Sequence, residues 1–240
     1  MTGNVQTLSF NDLIIAFIPV IFVIAIIFKW KLDYKHALYA LTRMLIQLLL
    51  IGYILAFLFS SNSVWIIASV LLVMIFFSSW IALDSISKFR KALFGRAFIA
   101  ILIGGGTTLC LIIIGVLDLK PWHTARYSIP LAGMIFANAM NCISLAAERI
   151  NAELSRNQPY YIARNIAFNA SIIPITNALL AVGLVSLPGM MTGQILSGIS
   201  PFIAARYQIM VMCMIFGSGG LSSACFLLLV RPIFNKNIKP

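Results

Sequence analysis

Uncharged polar and sulfur-bearing side chains, set within long apolar stretches, are the residues of this chain whose types suit chemistry. Met134, Asn138 and Asn141 follow one another at helical spacing, which places them on one face of a helix. Two side-chain amides are unfavourable against lipid, so we expect this face to look into the protein. There the amides could bond to a neighbouring helix or line the path of a transported solute, and the sequence leaves both readings open.

A second candidate site lies in the segment 186–194, where proline and glycine interrupt the apolar pattern. A broken helix inside a membrane exposes backbone groups that only protein or a cavity can satisfy. Two adjacent methionines offer thioethers, which are soft metal ligands and are also common packing residues. The candidate residues of this segment are Ser186, Pro188, Met190, Met191 and Gln194.

A third candidate pair is Arg43 and Gln47, one helical turn apart at the start of an apolar stretch. A long cation at the end of a membrane helix can extend its charged group to the interface. The pair therefore fits an interfacial anchor, with contact to a solute as the alternative.

Carboxylate and imidazole groups that could act in catalysis do not occur in the middle of the apolar stretches. All six carboxylates and both histidines fall in loops or at the ends of the apolar stretches. Proton relays and intramembrane hydrolases need such groups inside the membrane, so neither class fits well. An ATP-binding loop ends in Gly-Lys-Ser/Thr, and no Gly-Lys dipeptide occurs. We expect no enzyme activity and no bound cofactor in this chain, with ATP and Mg²⁺ on a separate subunit if ATP drives it.

The apolar stretches predict an all-α, polytopic membrane protein. Hydrophobic residues make up 61% of the 240 residues and charged ones only 10%, whereas soluble domains carry roughly 25% charged residues. A spanning helix needs about 20 apolar residues. We predict one transmembrane domain over 1–240, with a polar turn at Ser60–Ser63 and with a sixth span broken by Pro174, Gly183, Pro188, Gly189 and Gly193. The seven predicted spans cover approximately 13–28, 44–59, 64–83, 97–117, 129–147, 170–195 and 207–230.

The basic residues predict the orientation, because cytoplasmic loops collect Lys and Arg. With the N-terminus outside and the C-terminus inside, only Lys120, Arg126 and Arg206 of the 17 basic residues fall outside. The expected location is the cell (inner) membrane, as a multi-pass protein. The net charge of +11 then faces anionic lipid headgroups, so we expect a bilayer partner and no nucleic acid.

Three stretches carry a family resemblance. GLVSLPGMMTGQILSG (183–198), ARYQIMV (205–211) and IPLAGMIFANAM (129–140) closely resemble the FetB-like family of iron-export ABC transporter permeases. The resemblance runs over roughly 34–230 and includes Arg43 and Gln47. It implies a seven-span permease that pairs as two copies with two copies of a separate ABC ATPase subunit. The implied cargo is a metal-related or other small solute.

The resemblance also implies an ATPase contact in the cytoplasmic connection between the fifth and sixth spans. Relatives carry a longer helical segment with a Leu-Gly-Ala turn there, which this chain lacks. We expect a loop over 153–163 in which Asn157 and Pro159 form a turn between two short helical pieces. The coupling candidates are Glu153, Leu154, Arg156, Asn157, Pro159 and Tyr160.

These observations favour the permease subunit of an ATP-dependent exporter. Two other functions stay open at this point. The first is a degenerate scaffold subunit that has lost its ATPase contact and does not transport, and the second is a passive channel or secondary carrier.

The orientation can be tested by labelling cysteines introduced on the two predicted sides of the membrane. We expect Lys236→Cys to react with an impermeant maleimide only after the cells are permeabilised, because the C-terminus is predicted inside. Lys120→Cys, in a predicted external loop, is the control and should react in intact cells. Labelling of the Lys236 position in intact cells would reject the orientation.

Overall fold

The computed structural model describes residues 10–60 and 63–237, and their regular structure is helical apart from one bridge between Val182 and Ser186. The predicted all-α membrane protein is confirmed. The chain divides into two compact units at residues 61 and 62. Of the predicted polar turn at 60–63, residues 61 and 62 lie outside the described part. One permease domain over 1–240 stays a prediction.

The first unit contains three helices whose apolar side chains are mostly exposed. They are α1 (Phe10–Ala16), α2 (Ile18–Lys29) and α3 (Tyr34–Ser60). A tight turn after Lys29 reverses the chain, with Lys31 at a positive φ of 59°. Asp33 then caps α3, since its carboxylate accepts a hydrogen bond from the His36 amide at 3.0 Å.

The second unit is a helical bundle that holds the hydrophobic core. Its helices are α4 (Val64–Ala82), α5 (Arg90–Cys110), α6 (Ala125–Ser155), α7 (Tyr160–Ala181), α8 (Gly189–Leu196) and α9 (Pro201–Asn237). A 3₁₀ turn (Asp84–Phe89) leads into α5, and a π-helical segment (Leu111–Val116) extends it. Helix α9 packs against α5, α6, α7 and α8, and α6 packs against α4, α5, α7 and α9, so these two helices make most of the contacts of the unit.

Glycine at two positions lets α9 approach its neighbours closely. A Cβ atom at Gly104 of α5 would lie 2.5 Å from the backbone nitrogen of Ser222 on α9. A Cβ at Gly219 of α9 would lie 2.7 Å from the Cys142 sulfur on α6. Small residues commonly permit such contacts between membrane helices. Glycine at these two positions therefore permits the close packing of α9 against α5 and α6.

Polar contacts add to this packing at three points along α9. The Arg96 guanidinium on α5 donates to the Leu229 carbonyl at 2.9 Å. The Ser171 and Ser223 hydroxyls join α7 to α9 at 2.8 Å, and the Tyr160 hydroxyl of α7 donates to the Leu227 carbonyl. Since lipid offers no competing hydrogen bonds, such contacts fix the relative position of the helices.

Six stretches of the described residues are long and apolar enough to cross a membrane. They are Asp12–Lys29, Tyr34–Leu55, Val64–Ala82, Asp84–Val116, Ala125–Ser155 and Pro201–Phe234. Helix α7 has 22 residues and is about 33 Å long at 1.5 Å per residue. It is long enough to cross a membrane but is less apolar than these six stretches. The count of seven spans and their orientation stay predictions.

The sixth predicted span, 170–195, differs from the structure. Helix α7 begins ten residues earlier, continues through Pro174 and ends at Ala181, and the separate helix α8 follows a turn. Neighbouring helices can satisfy the backbone carbonyl that a proline leaves free in a membrane helix, so Pro174 does not end α7. The chain turns at Gly183, one of the predicted breaks, where φ is +81°.

The connection predicted at 153–163 is shorter in the structure. Helix α6 continues to Ser155 and α7 begins at Tyr160, so only four residues connect two long helices. The turn itself lies at the predicted residues, with Asn157 at a φ of 59° and Pro159 preceding the first turn of α7. The predicted two short helical pieces are the ends of α6 and α7. We call residues 149–161 the coupling hairpin.

The contact between α5 and α9 can be tested with Gly104→Ala. The added methyl group would overlap the Ser222 backbone, so we expect a loss of about 1–3 kcal/mol and a lower melting temperature in detergent. Gly106→Ala is the matched control, because a Cβ there meets only the Leu102 side chain of the same helix, at 3.9 Å. It should be neutral or slightly stabilising. Equal melting temperatures for the two variants would contradict the close approach.

Candidate solute-binding cavity

Two adjoining cavities lie in the second unit. The first, of about 490 Å³, is lined by the side chains of Asn138, Asn141 and Gln208, and we call it the amide cavity. The second, of about 480 Å³, is lined by Tyr127 and Tyr207, and we call it the tyrosine cavity. Met134 and Met190 border both. Each cavity is large enough for a small solute.

The turn between α7 and α8 places the broken segment against the amide cavity. Gly183 donates its amide hydrogen to the Ser186 carbonyl at 3.0 Å, which closes a tight turn after α7. Pro188 then caps α8, whose first residues face the cavity. Of the five candidates in this segment, Ser186, Pro188 and Met190 line the amide cavity and Gln194 lines the tyrosine cavity, while Met191 borders neither.

The two asparagines of α6 play different structural parts. Asn138 is half-buried, and its amide nitrogen donates to the Ile215 carbonyl on α9. Glycine at 219 makes room for it, since a Cβ there would lie 2.8 Å from this nitrogen. Asn141 is exposed at the cavity wall, and its side chain makes no hydrogen bond within the described residues. Asn138 thus joins two helices and lines the cavity, whereas Asn141 only lines it.

Gln208 is a cavity residue that the candidate residues chosen from sequence do not include. It is only 5% exposed, and its carbonyl oxygen has no hydrogen-bond partner. A buried acceptor left unsatisfied costs roughly 1–3 kcal/mol, so this oxygen suits a ligand or a water molecule. Gln208 shares one face of α9 with Val211, Met212 and Ile215, all of which line the same cavity. That helical spacing is the signal in the sequence that indicates it.

The tyrosine cavity combines one cation with aromatic and amide groups. Arg126 and Tyr127 come from the start of α6, and Tyr207 and Met210 come from α9. The Gln194 carbonyl oxygen is buried there without a partner. Arg43 and Gln47 lie on α3 in the first unit, so their part in a solute path stays a prediction.

The coupling hairpin is a rigid structure with a buried carboxylate. Glu153 is 4% exposed, and its Oε1 atom accepts contacts from Arg149 at 2.8 Å and from Arg156 at 3.4 Å. Leu154 and Tyr160 pack against the hydrophobic core. Arg156, Asn157 and Pro159 are exposed at the tip, as is the neighbouring Tyr161. The hairpin therefore offers a polar tip with an aromatic edge to a partner.

The described residues contain no group of three or more His, Cys, Asp or Glu side chains that could hold a metal ion. Any metal in these cavities would have to use thioether sulfur, amide oxygen or hydroxyl groups.

A family model described as "Uncharacterised protein family (UPF0014)" matches residues 10–234. The chain belongs to the UPF0014 family. It is 35% identical to a UPF0014 membrane protein of Synechocystis, over 83% of each chain. It is 33% identical to the "Probable iron export permease protein FetB" of Escherichia coli, over 93% of this chain and 92% of that protein. The resemblance to the FetB-like family is confirmed.

A plant relative shows that the family is not confined to bacteria. The chain is 31% identical to the "Protein ALUMINUM SENSITIVE 3" of Arabidopsis thaliana, over 82% of this chain and 76% of that protein. No solved structure matches the chain. Together with the long apolar helices, these relatives identify it as a multi-pass membrane protein of a family that includes a named permease.

Paired substitutions of the two asparagines test whether each one holds two helices together or only lines the cavity. We expect Asn138→Ala to lower the free energy of unfolding in detergent by about 1 kcal/mol, because it removes the bond to the Ile215 carbonyl. Asn141→Ala should leave stability unchanged, because it removes no bond. Thermal unfolding followed by tryptophan fluorescence measures both. Equal losses would contradict the separate parts that the structure gives to these residues.

Proposed function

We propose that the chain is the membrane subunit of an ATP-driven exporter of a metal-related or other small solute. In this proposal it lies in the cell (inner) membrane and works as a homodimer with two copies of a separate ABC ATPase. The E. coli relative named an iron export permease supports the transport role. The missing Gly-Lys dipeptide supports placing ATP hydrolysis on another chain.

The observation that carries the proposal is the connection from the coupling hairpin to the amide cavity. Helix α7 starts in the hairpin at Tyr160 and ends beside the cavity, which Ala178 and Val182 line. The Tyr160 hydroxyl is bonded to the Leu227 carbonyl of α9, the helix that carries Gln208. A displacement of the hairpin would therefore act on two helices that form the cavity wall.

Within the hairpin, buried residues suit transmission and exposed residues suit docking. Tyr160 and Leu154 face the core, so charges at these positions would disturb folding as well as a partner. Tyr161 is 63% exposed and adjoins the exposed tip. Docking is therefore best tested at Tyr161, while Glu153 with its two arginines keeps the hairpin rigid.

We expect Tyr161→Asp to fold normally and to lose its ATPase partner on co-purification, because a charge would be buried in a partly apolar contact. Tyr161→Phe is the matched control and should retain the partner. In proteoliposomes, the wild-type pair should show ATP turnover stimulated by the transported solute. Undiminished co-purification of Tyr161→Asp would show that the ATPase docks elsewhere.

The same preparation tests the assembly. The mass of the wild-type complex should correspond to two permease and two ATPase chains, since ABC transport uses two membrane halves. A transport-active complex with one permease chain would contradict the homodimer. Solute flux without ATP would favour a passive channel or secondary carrier, and a stable complex with no flux would favour a scaffold subunit.

A further inference from the structure

From the lining of the amide cavity, we infer that its ligand is a soft, singly charged metal ion of the Cu(I) type, bound as cargo. Three thioethers line this cavity, those of Met134, Met190 and Met212. Three side-chain amides complete the polar part of the wall, those of Asn138, Asn141 and Gln208. This inference names the cargo class of the proposed exporter and rests on that function for its transport step, although binding is a property of this chain alone.

The wall of the cavity offers several lone pairs to a ligand, beside the amide hydrogens of Asn141 and Gln208. The Gln208 carbonyl oxygen is buried and has no partner. The amide nitrogen of Asn138 already donates to the Ile215 carbonyl, which leaves its own oxygen to accept. Thioether sulfur also acts only as an acceptor. Thioether sulfur and amide oxygen can both give electron density to a cation, so this wall can coordinate one.

The donor types decide which cation fits. Hard ions such as Mg²⁺ and Ca²⁺ prefer oxygen ligands that include carboxylates, and thioether sulfur prefers Cu(I). No Asp, Glu, His or Cys side chain lines either cavity in the described structure. Because a neutral wall cannot offset charge and the cost of removing an ion from water rises with its charge, a monovalent ion is favoured. Arg126 borders the adjoining tyrosine cavity and disfavours a second cation there.

The competing explanation is that these methionines only fill space, as flexible thioethers often do in cores. Methionine→leucine substitutions separate the two explanations, because they remove sulfur and nearly keep the volume. A space-filling role predicts no change in metal binding, whereas a ligand role predicts its loss.

The experiment is a Cu(I) titration of the purified permease in detergent, without ATPase, against a competing Cu(I) chelator. We expect one tight site per chain. The triple variant Met134→Leu, Met190→Leu, Met212→Leu should bind Cu(I) at least about tenfold more weakly. Loss of a residue that only hydrogen-bonds to a metal ligand already lowers metal affinity by about that factor. Met210→Leu, which removes a thioether only from the tyrosine cavity, should bind like the wild type.

Two further variants keep the test decisive. Gln208→Leu removes the unpartnered oxygen and should also weaken Cu(I) binding. This variant tests the site independently of whether the triple variant folds. A variant with all four cysteines changed to alanine should retain the site, because none of them lines the cavity. Loss of binding in that variant, or unchanged Cu(I) affinity in both the Gln208 and the folded methionine variants, would overturn the inference.

Fe(II) titrated under the same conditions supplies the comparison with a harder ion. We expect it to bind more weakly than Cu(I), and tighter Fe(II) binding would overturn the assignment of a soft ion. The two proposals fail separately. Cu(I) binding without ATP-driven flux of any solute would count against the exporter, whereas ATP-driven flux of another solute with no Cu(I) binding would count against this inference alone.

Discussion

The close approach of α9 to α5 and α6 is the contact on which the second unit depends. In lipid, apolar burial gives little drive for helix association, so packing and hydrogen bonds between helices carry it. Backbone approach at Gly104 and Gly219 brings α9 within reach of the partners that bond to it, including Asn138 and Arg96. On the N-terminal side of Gly219, Gln208 and larger apolar side chains of α9 line the amide cavity.

Helix α9 also links the amide cavity to the coupling hairpin. Gln208, near its start, lines the amide cavity, and Leu227, near its end, accepts the hydrogen bond from Tyr160 of the coupling hairpin. Helix α7 makes the same connection in the opposite chain direction. A continuous helix contains no loop that could absorb an axial or rotational displacement. A displacement of α9 at the coupling hairpin would therefore reach the amide cavity.

The apolar pattern predicts the helices well and their ends poorly. Uncharged stretches identify every long helix, but α3 and α6 continue past the first charged residues, since Lys, Arg and Glu are good helix formers at the interface. Pro174 misleads because a membrane helix can tolerate an internal proline, and α7 continues through it. The methionine and amide positions are predictable from helical spacing. Gln208 is harder to find, because its importance comes from burial, which depends on the neighbouring helices.

The length of α9 has a consequence for the surrounding membrane. The helix has 37 residues, and the part between Arg206 and Arg231 alone spans about 37 Å, whereas a typical hydrocarbon core is about 30 Å thick. A helix anchored by a cation near each end meets this hydrophobic mismatch by tilting, or by thickening the lipid around it. Tilt of α9 would move Gln208 and Leu227 in opposite directions about the Gly219 contact. The lipid chain length of the host membrane thereby becomes one of the variables that set the shape of the cavity.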